Sequence, residues 1–253
     1  ARTILDAARA ARGMAGADLR AMSHSWLFTG PPGSGRSLAA IDFAAALMCT
    51  DPEEPGCGRC EACRAVLETK QHTDLVLVDP QEVIIPVDTV REVIGRAASL
   101  PTVAPWRVVI FNNADRLNNN GANALLKTVE EPPARTVIIM CAPSDAPEDF
   151  SQTLRSRCRH LYIPSPSVKS ITSQLVSEGA SDHDAHLAAL TSLRHVGRAR
   201  RLVNDPAVQK RRAVAINLAE EVFHGSQGFQ AVTSLLKMVD AEAKDSHKEQ
   251  EEA

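Results

Sequence analysis

Three groups of residues in this chain have types and spacings that suit chemistry. The first is Gly30-Pro31-Pro32-Gly33-Ser34-Gly35-Arg36-Ser37, which follows a short apolar run directly and opens a helical pattern over Leu38 to Met48. Glycines so spaced let backbone N–H groups converge on phosphate oxygens at a helix N-terminus, where a hydroxyl such as that of Ser37 reaches Mg²⁺. Arg36 stands where a lysine would track the β- and γ-phosphates. Its guanidinium keeps the charge but not the compact geometry of an ammonium, so binding is compatible with failed hydrolysis.

The second group follows the apolar run Val108 to Phe111 and reads Asn112-Asn113-Ala114-Asp115-Arg116-Leu117. A nucleoside triphosphatase needs an acid at the end of such a strand to hold Mg²⁺ and polarise the attacking water. Two neutral amides stand where two carboxylates are expected; an amide cannot act as a base and is a poorer partner for a hard cation. Asp115 comes a few residues late and reads more simply as a solvated acid. From these residues alone the chain is a nucleotide-binding fold with its catalysis removed; the alternative is a weak ATPase in which Arg36 and Asp115 substitute for the usual pair.

The third group is Cys49, Cys57, Cys60 and Cys63, spaced C-x7-C-x2-C-x2-C, with Gly56 and Gly58 flanking the second. Four thiolates with two tight spacings suit tetrahedral Zn²⁺, and a four-cysteine site leaves no open position for water, so its expected role is structural. Reduced or disulfide-bonded cysteines are the alternative. Cys141 and Cys158 are expected to be buried, inert thiols.

These residues need elements to hold them. Between Trp26 and Ile163 five short apolar runs alternate with helical patterns: Trp26 to Thr29, Leu75 to Val78, Val108 to Phe111, Val137 to Met140 and Leu161 to Ile163. They are continuous and rich in Val and Ile, as strands of a parallel sheet covered on both faces are. The class is therefore α/β. After the linker Pro164-Ser165-Pro166-Ser167 only helical patterns follow, over Val168 to Ser177, His183 to Leu193, Arg198 to Leu202 and Val208 to Phe223, which predicts a second, all-helical domain. The segment Ala1 to Ala15 reads as an amphipathic helix, the stretch beyond Gly225 as the start of a further helical piece, and Lys244 to Glu252 as a solvated tail. The chain begins with Ala, which suggests a piece of a longer protein.

Length and composition agree with this. The 253 residues are 44% hydrophobic and 23% charged with 13 Gly and 15 Pro, the balance of a globular protein of one to two domains. The net charge of −3 excludes a polycation that coats nucleic acid by charge alone, so any DNA contact is local or shared with partners. A zinc-stabilised nucleic-acid module is further disfavoured by 4% aromatic residues, too few for base-stacking platforms. No run approaches the roughly 20 apolar residues of a membrane helix.

Taken in order, Gly30 to Gly35, the four-cysteine insertion, Asn123-Ala124-Leu125-Leu126-Lys127-Thr128-Val129-Glu130-Glu131-Pro132-Pro133 and Ser156-Arg157-Cys158 resemble the bacterial DNA polymerase III clamp-loader subunits over roughly residues 20 to 205. The resemblance implies an AAA+ P-loop domain with a zinc-binding insertion (residues 1–165, knuckle 49–63), a small helical lid domain (166–205), and the start of a helical collar with a tail (206–253). It also implies a cytoplasmic place in a five-membered ring, with gamma/tau-type and delta-type subunits, the sliding clamp and primer-template DNA as partners.

Within the family, gamma/tau motors carry Lys in the loop and Asp-Glu after the second strand. Arg36 with Asn112-Asn113, and Ile85-Pro86-Val87-Asp88-Thr89-Val90-Arg91, are similar instead to the non-hydrolysing delta-prime type; the alternative is a gamma/tau-like active ATPase. By motif position the resemblance makes Arg157 an arginine finger acting in trans, puts Ser144 near sensor 1 and Arg200 at sensor 2, and makes Gly30, Gly33, Gly35, Arg36 and Ser37 a degenerate nucleotide site with ATP and Mg²⁺ in doubt. The Val-Gly-Gln segment common in the family has no counterpart here, and only the beginning of the collar fits after about Gln209.

Overall fold

The computed structural model describes residues 2–80 and 82–223, with residues 232–233, 236–237 and 240. The expected helical piece beyond Gly225 and the tail therefore lie largely or wholly outside the described residues. The chain divides into two compact units, Ala1–Ser165 and Pro166–Ala253.

In the first unit, five strands form one parallel sheet: β1 (Ser25–Thr29), β2 (Leu75–Val78), β3 (Arg107–Phe111), β4 (Thr136–Ala142) and β5 (Arg159–Tyr162). They lie in the order β2-β3-β4-β1-β5. β2 keeps the bounds of its apolar run, β1 and β3 start one residue earlier, and β4 and β5 differ more. β5 starts two residues earlier because Arg159 and His160 pair with Trp26 and Leu27 of β1, and being at the sheet edge they need no apolar side chain on both faces. The three inner strands β3, β4 and β1 are buried along their whole length.

Strand alternation divides the core in two. Trp26, Phe28, Val108, Ile110, Val137 and Ile139 face α2 (Arg36–Met48), where Phe43, Leu47 and Met48 meet them, with Ile4 and Ala7 of α1 (Arg2–Ala11). Leu27, Val109, Phe111, Ile138 and Met140 point the other way, onto Val90 and Val93 of α4 (Val87–Ala97), Leu125 and Val129 of α5 (Asn119–Glu130), and Leu154 of α6 (Gln152–Arg155). Trp26 and Phe43 meet edge-on at 5.2 Å between ring centres, a favoured geometry for two quadrupoles. The first helix is shorter than the expected Ala1 to Ala15, because Gly13 and Gly16 adopt positive φ just beyond it.

An ion knot closes the far edge. Asp74 is fully buried and accepts hydrogen bonds from the backbone of Thr102 (2.8 Å), Val103 (2.7 Å) and Ala104 (2.9 Å), and from Arg107 (3.0 Å). Burial alone would raise its pKa, but the three N–H groups and the guanidinium outweigh it and hold the carboxyl well below the usual range.

The second unit contains α7 (Val168–Ser177), α8 (Asp182–Thr191), α9 (Val196–Asn204) and α10 (Pro206–Phe223). Ser167, Ser181 and His195 cap the first three through their side chains. Asp205 accepts from Ala207 and Val208 at the start of α10, with Pro206 at the first helical position. The core is small: Ile171 and Leu175 against Ala185, Ala188, Ala189 and Ala199, whose short side chains let the helices approach closely. Helix α8 stops before Leu193, because Leu193 and Arg194 take positive φ.

Candidate phosphate-loop site and cysteine cluster

The parallel sheet brings the C-terminal ends of β1, β4 and β3 together, the place where open α/β sheets hold ligands. The loop after β1 is tied to its neighbours at once. Gly30 donates to the carbonyl of Pro143 beyond β4 (3.2 Å), and Ile163 donates to the carbonyl of Thr29 (2.7 Å). A side chain at residue 30 would collide with the carbonyl oxygen of Ile163 and with Ser34 Oγ. Gly33 and Gly35 have φ of 81° and 90°, and Gly35 is the N-cap of α2 without a side-chain cap, which leaves the first N–H groups of the helix for an anion. Arg36 does not reach outward. Its Nη1 donates to the carbonyl of Gly30 at 2.6 Å, closing the loop on itself, and its buried Nε has no partner among the described residues.

Asn112, directly after β3, is buried, and its Oδ1 has no hydrogen-bond partner among the described residues. Asn113 occupies the left-handed region (φ 51°), a conformation Asn tolerates. Asp115 is exposed, in the turn Ala114–Arg116. It does not replace the missing acid pair as a buried strand-end carboxylate.

Ser144, two residues past β4, donates to Asp149 Oδ2 (2.6 Å) and accepts from the backbone of Ala146 (3.1 Å). Arg157 follows α6. Its Nε pairs with Glu130 Oε1, at the end of α5, and its Nη1 donates to the carbonyl of Thr153 (2.8 Å). The Arg157 and Glu130 side chains are 36% and 45% exposed, so water screens the pair. In the second unit Arg200 forks onto both carboxylate oxygens of Glu178, and the pair pulls the carboxyl below its usual range.

A network that the sequence did not suggest lies beside the loop. Thr29 Oγ1, the last side chain of β1, is 2.6 Å from His160 Nε2; His160 Nδ1 is 3.2 Å from Arg155 Nη2; and Arg155 Nε donates to Asp145 Oδ2 at 2.9 Å. Burial, and then Arg155, lower the His160 pKa against the pull of Asp145.

The four cysteines converge as the spacing predicts. Cys49 ends α2, Cys57 lies between Gly56 and Gly58, both at positive φ, and Cys60 caps α3 (Glu61–Arg64), which carries Cys63. All four Sγ atoms lie within 4.8 Å of one another, and those of Cys60 and Cys49 are 3.9 Å apart. A tetrahedron with Zn–S bonds of about 2.3 Å has edges of about 3.8 Å, so the cluster is sized to hold a metal ion. Burial opposes ionisation of Cys60, but hydrogen bonds from Thr50 and Cys63 outweigh it and set that thiol at about 6, whereas burial pushes Cys63 up. Burial also raises Cys141 and Cys158 to about 12, which keeps them as inert thiols.

A family model described as DNA polymerase III, delta subunit, matches residues 15–167. The chain belongs to this family. The DNA polymerase III subunit delta' of Pseudomonas aeruginosa is 36% identical over 147 residues, 57% of this chain and 44% of that protein. That of Bacillus subtilis is 29% identical over 207 residues, 82% and 61%. The family member described here is thus of the delta-prime type, although the tau subunit of Bacillus subtilis is also 32% identical over 155 residues, 61% of this chain and 26% of that one. The chain spans about half the length of the curated relatives it matches. Among solved structures, a RuvB mutant from Thermotoga maritima aligns with a TM-score of 0.50 at 16% identity, over 86% of this chain and 62% of that one, which shows a shared fold.

For this delta-prime-type chain the first unit brings together Gly30, Gly33, Gly35, Arg36, Ser37 and Ser144 around the ends of β1 and β4, with Arg157 on the turn after α6. Arg200 belongs to the second unit. Sequence reasoning missed Glu130, Arg155, His160 and Thr29. The available signal was that Glu130 lies inside one of the two motifs that flank β4 and Arg155 directly precedes the other. Among the described residues no helix is long and apolar enough to cross a membrane.

Proposed function

We propose that this chain is the non-hydrolysing delta-prime-type member of a DNA polymerase III clamp loader, and that it supplies Arg157 in trans to the nucleotide site of a neighbouring ATPase subunit. The observation that carries this is the combination of an acid site degraded to Asn112 and Asn113 with a solvent-accessible arginine on the turn after α6. The fork of a guanidinium neutralises charge on a transferring phosphoryl group, and such a finger accelerates transfer by roughly 10³ to 10⁵. Releasing Arg157 from Glu130 costs about 0.2–1 kcal/mol for an exposed pair, a factor of a few in population, so the intramolecular contact does not block the role.

The remaining assignments follow from the same reading. The phosphate loop is a relic that positions β1 and α2, with Arg36 occupying the Gly30 carbonyl; a nucleotide held by Gly33, Gly35 and Ser37 would be held without turnover. Ser144 and Arg200, at the sensor positions, are engaged by Asp149 and Glu178, as suits a site that no longer reports hydrolysis. Cys49, Cys57, Cys60 and Cys63 hold a structural zinc that fixes the C-terminal end of α2. Residues 166–205 serve as the lid and 206–253 as the beginning of the collar. Partners are gamma/tau-type and delta-type subunits, and through the complex the sliding clamp and primer-template DNA. The gamma/tau-like active ATPase is the second reading, favoured by the intact loop glycines and by the tau similarity, and opposed by Arg36 and the two amides.

The test is Arg157→Ala in a reconstituted loader. ATP turnover should fall by about 10³ at the site it completes, with assembly on a sizing column intact. An unchanged turnover overturns the finger assignment.

A further inference from the structure

The network beside the phosphate loop has a direction fixed by its donors. Arginine has only N–H donors, so the contact of Arg155 Nη2 with His160 requires a lone pair on Nδ1. The neutral ring then carries its proton on Nε2 and donates it to Thr29 Oγ1. The other edge of the same guanidinium donates through Nε to Asp145, one residue after Ser144. Arg155 is the last residue of α6, and Arg157 lies two residues beyond it. A single guanidinium therefore joins the loop after β4 to the helix that presents Arg157 and, through His160 of β5, to the end of β1.

Resting on the finger reading above, we propose that Arg155 and His160 are positioning residues for Arg157: with His160 neutral and protonated on Nε2, they lock α6 to the end of β1 and so set where the finger points. Protonating Nδ1 would place an N–H against the N–H of Arg155 and break the lock, so the positioning is lost on acidification. The charged groups facing the ring are Arg155, from α6, and Asp145, 3.7 Å away in the loop after β4; Thr29 of β1 is uncharged. The lowered pKa of His160 agrees with the neutral form at neutral pH. No exposed surface salt bridge of α6 would give this tautomer dependence.

The experiment is steady-state ATPase of the reconstituted loader from pH 5.5 to 8.5, with kcat and KM for ATP resolved. Arg155→Ala should lower kcat about tenfold or more, because a displacement of about 1 Å suffices for a hundredfold loss, and should leave KM within twofold. Combined with Arg157→Ala it should add no further loss. His160→Gln keeps a donor at the Nε2 position but loses the Nδ1 acceptor for Arg155 and cannot titrate in this range; it should lower kcat at pH 7.5 and abolish the acid-side fall expected of the parent below the ordinary histidine range. Should Arg155→Ala fail to assemble, the isosteric Thr29→Val serves, with the same kcat loss expected. An additive double variant, a loss carried by KM alone, or an acid limb that persists in His160→Gln overturns the positioning role. If Arg157→Ala itself leaves turnover unchanged, the finger reading fails first.

Discussion

Removing the metal from the four-cysteine cluster should cost this chain more than any single surface change. Cys49 and Cys63 are fully buried, and the segment they bracket, residues 49–63, contains a single helical turn, α3, and two glycines at positive φ. Such a segment has little to order it besides the cross-link. Constraining a loop of about 15 residues in the unfolded chain is worth about 3 kcal/mol, which sets the lower end. Structural zinc in small modules contributes about 10–16 kcal/mol, and the observed effect is bounded by the stability of the unit itself, about 5–15 kcal/mol. At about 2–4 °C per kcal/mol for a unit of this size, the lower end alone moves the melting midpoint by about 6–12 °C. The assay is elemental analysis of the purified chain followed by calorimetric melting with and without a strong chelator, beside Cys63→Ser and the control Cys158→Ala. One zinc per chain, and a midpoint that falls by about 6 °C or more in chelator and in Cys63→Ser, are expected. Protons compete with the metal for these thiolates, so zinc should be released on acidification. A metal-free chain that melts at the same temperature in chelator refutes the reasoning, as does a mass showing disulfides among the four.

Two further outcomes concern the first unit. Asp74→Ala leaves three N–H groups and Arg107 buried without their acceptor and should destabilise by about 3–5 kcal/mol in urea unfolding. Because the Asp74 carboxyl is held below its usual pKa, its contribution is present above about pH 4 and is lost as pH falls towards the folded-state value; a parent and variant equally acid-sensitive below pH 4 would contradict this. The isolated chain should release no phosphate from ATP and Mg²⁺, whether or not calorimetric titration detects binding. Turnover abolished by Ser37→Ala would place the chain with the gamma/tau-type motors instead.

The fold was legible where burial is one-sided in its demands. Inner strands read as unbroken Val and Ile runs because both faces are covered, and β1, β3 and β4 lie where those runs are. The edge strand β5 was misplaced by two residues, since Arg159 and His160 satisfy a ladder without satisfying a hydrophobic pattern. The ends of α1 and α8 were overrun, because positive φ at Gly13, Leu193 and Arg194 is decided by backbone geometry. The cysteine cluster was readable from spacing alone, its ligands being close in sequence. The links from Thr29 to His160 and from Glu130 to Arg157 join residues 131 and 27 positions apart, and no local pattern announces them.

The glycines of the phosphate loop illustrate why a preserved motif is weak evidence for a preserved activity. Residue 30 admits no side chain, because β1 and the strand end at Ile163 run too close, and this holds with or without a nucleotide. Gly33 and Gly35 sit at φ values that suit glycine and that deliver the chain into α2, whose Phe43 and Leu47 build the core. Loss of any of these would damage folding first and phosphate binding second. Arg36, Asn112 and Asn113 are under no such constraint. A lysine at residue 36 or acids at residues 112 and 113 would serve nucleotide chemistry, and little in the fold requires the residues found: the Arg36 guanidinium hydrogen-bonds to the Gly30 carbonyl of its own loop, Asn112 Oδ1 has no partner among the described residues, and Asn113 needs no more than tolerance of a left-handed turn. The function of the loop is therefore to be read at those three positions, which lack the residue types that nucleotide hydrolysis uses.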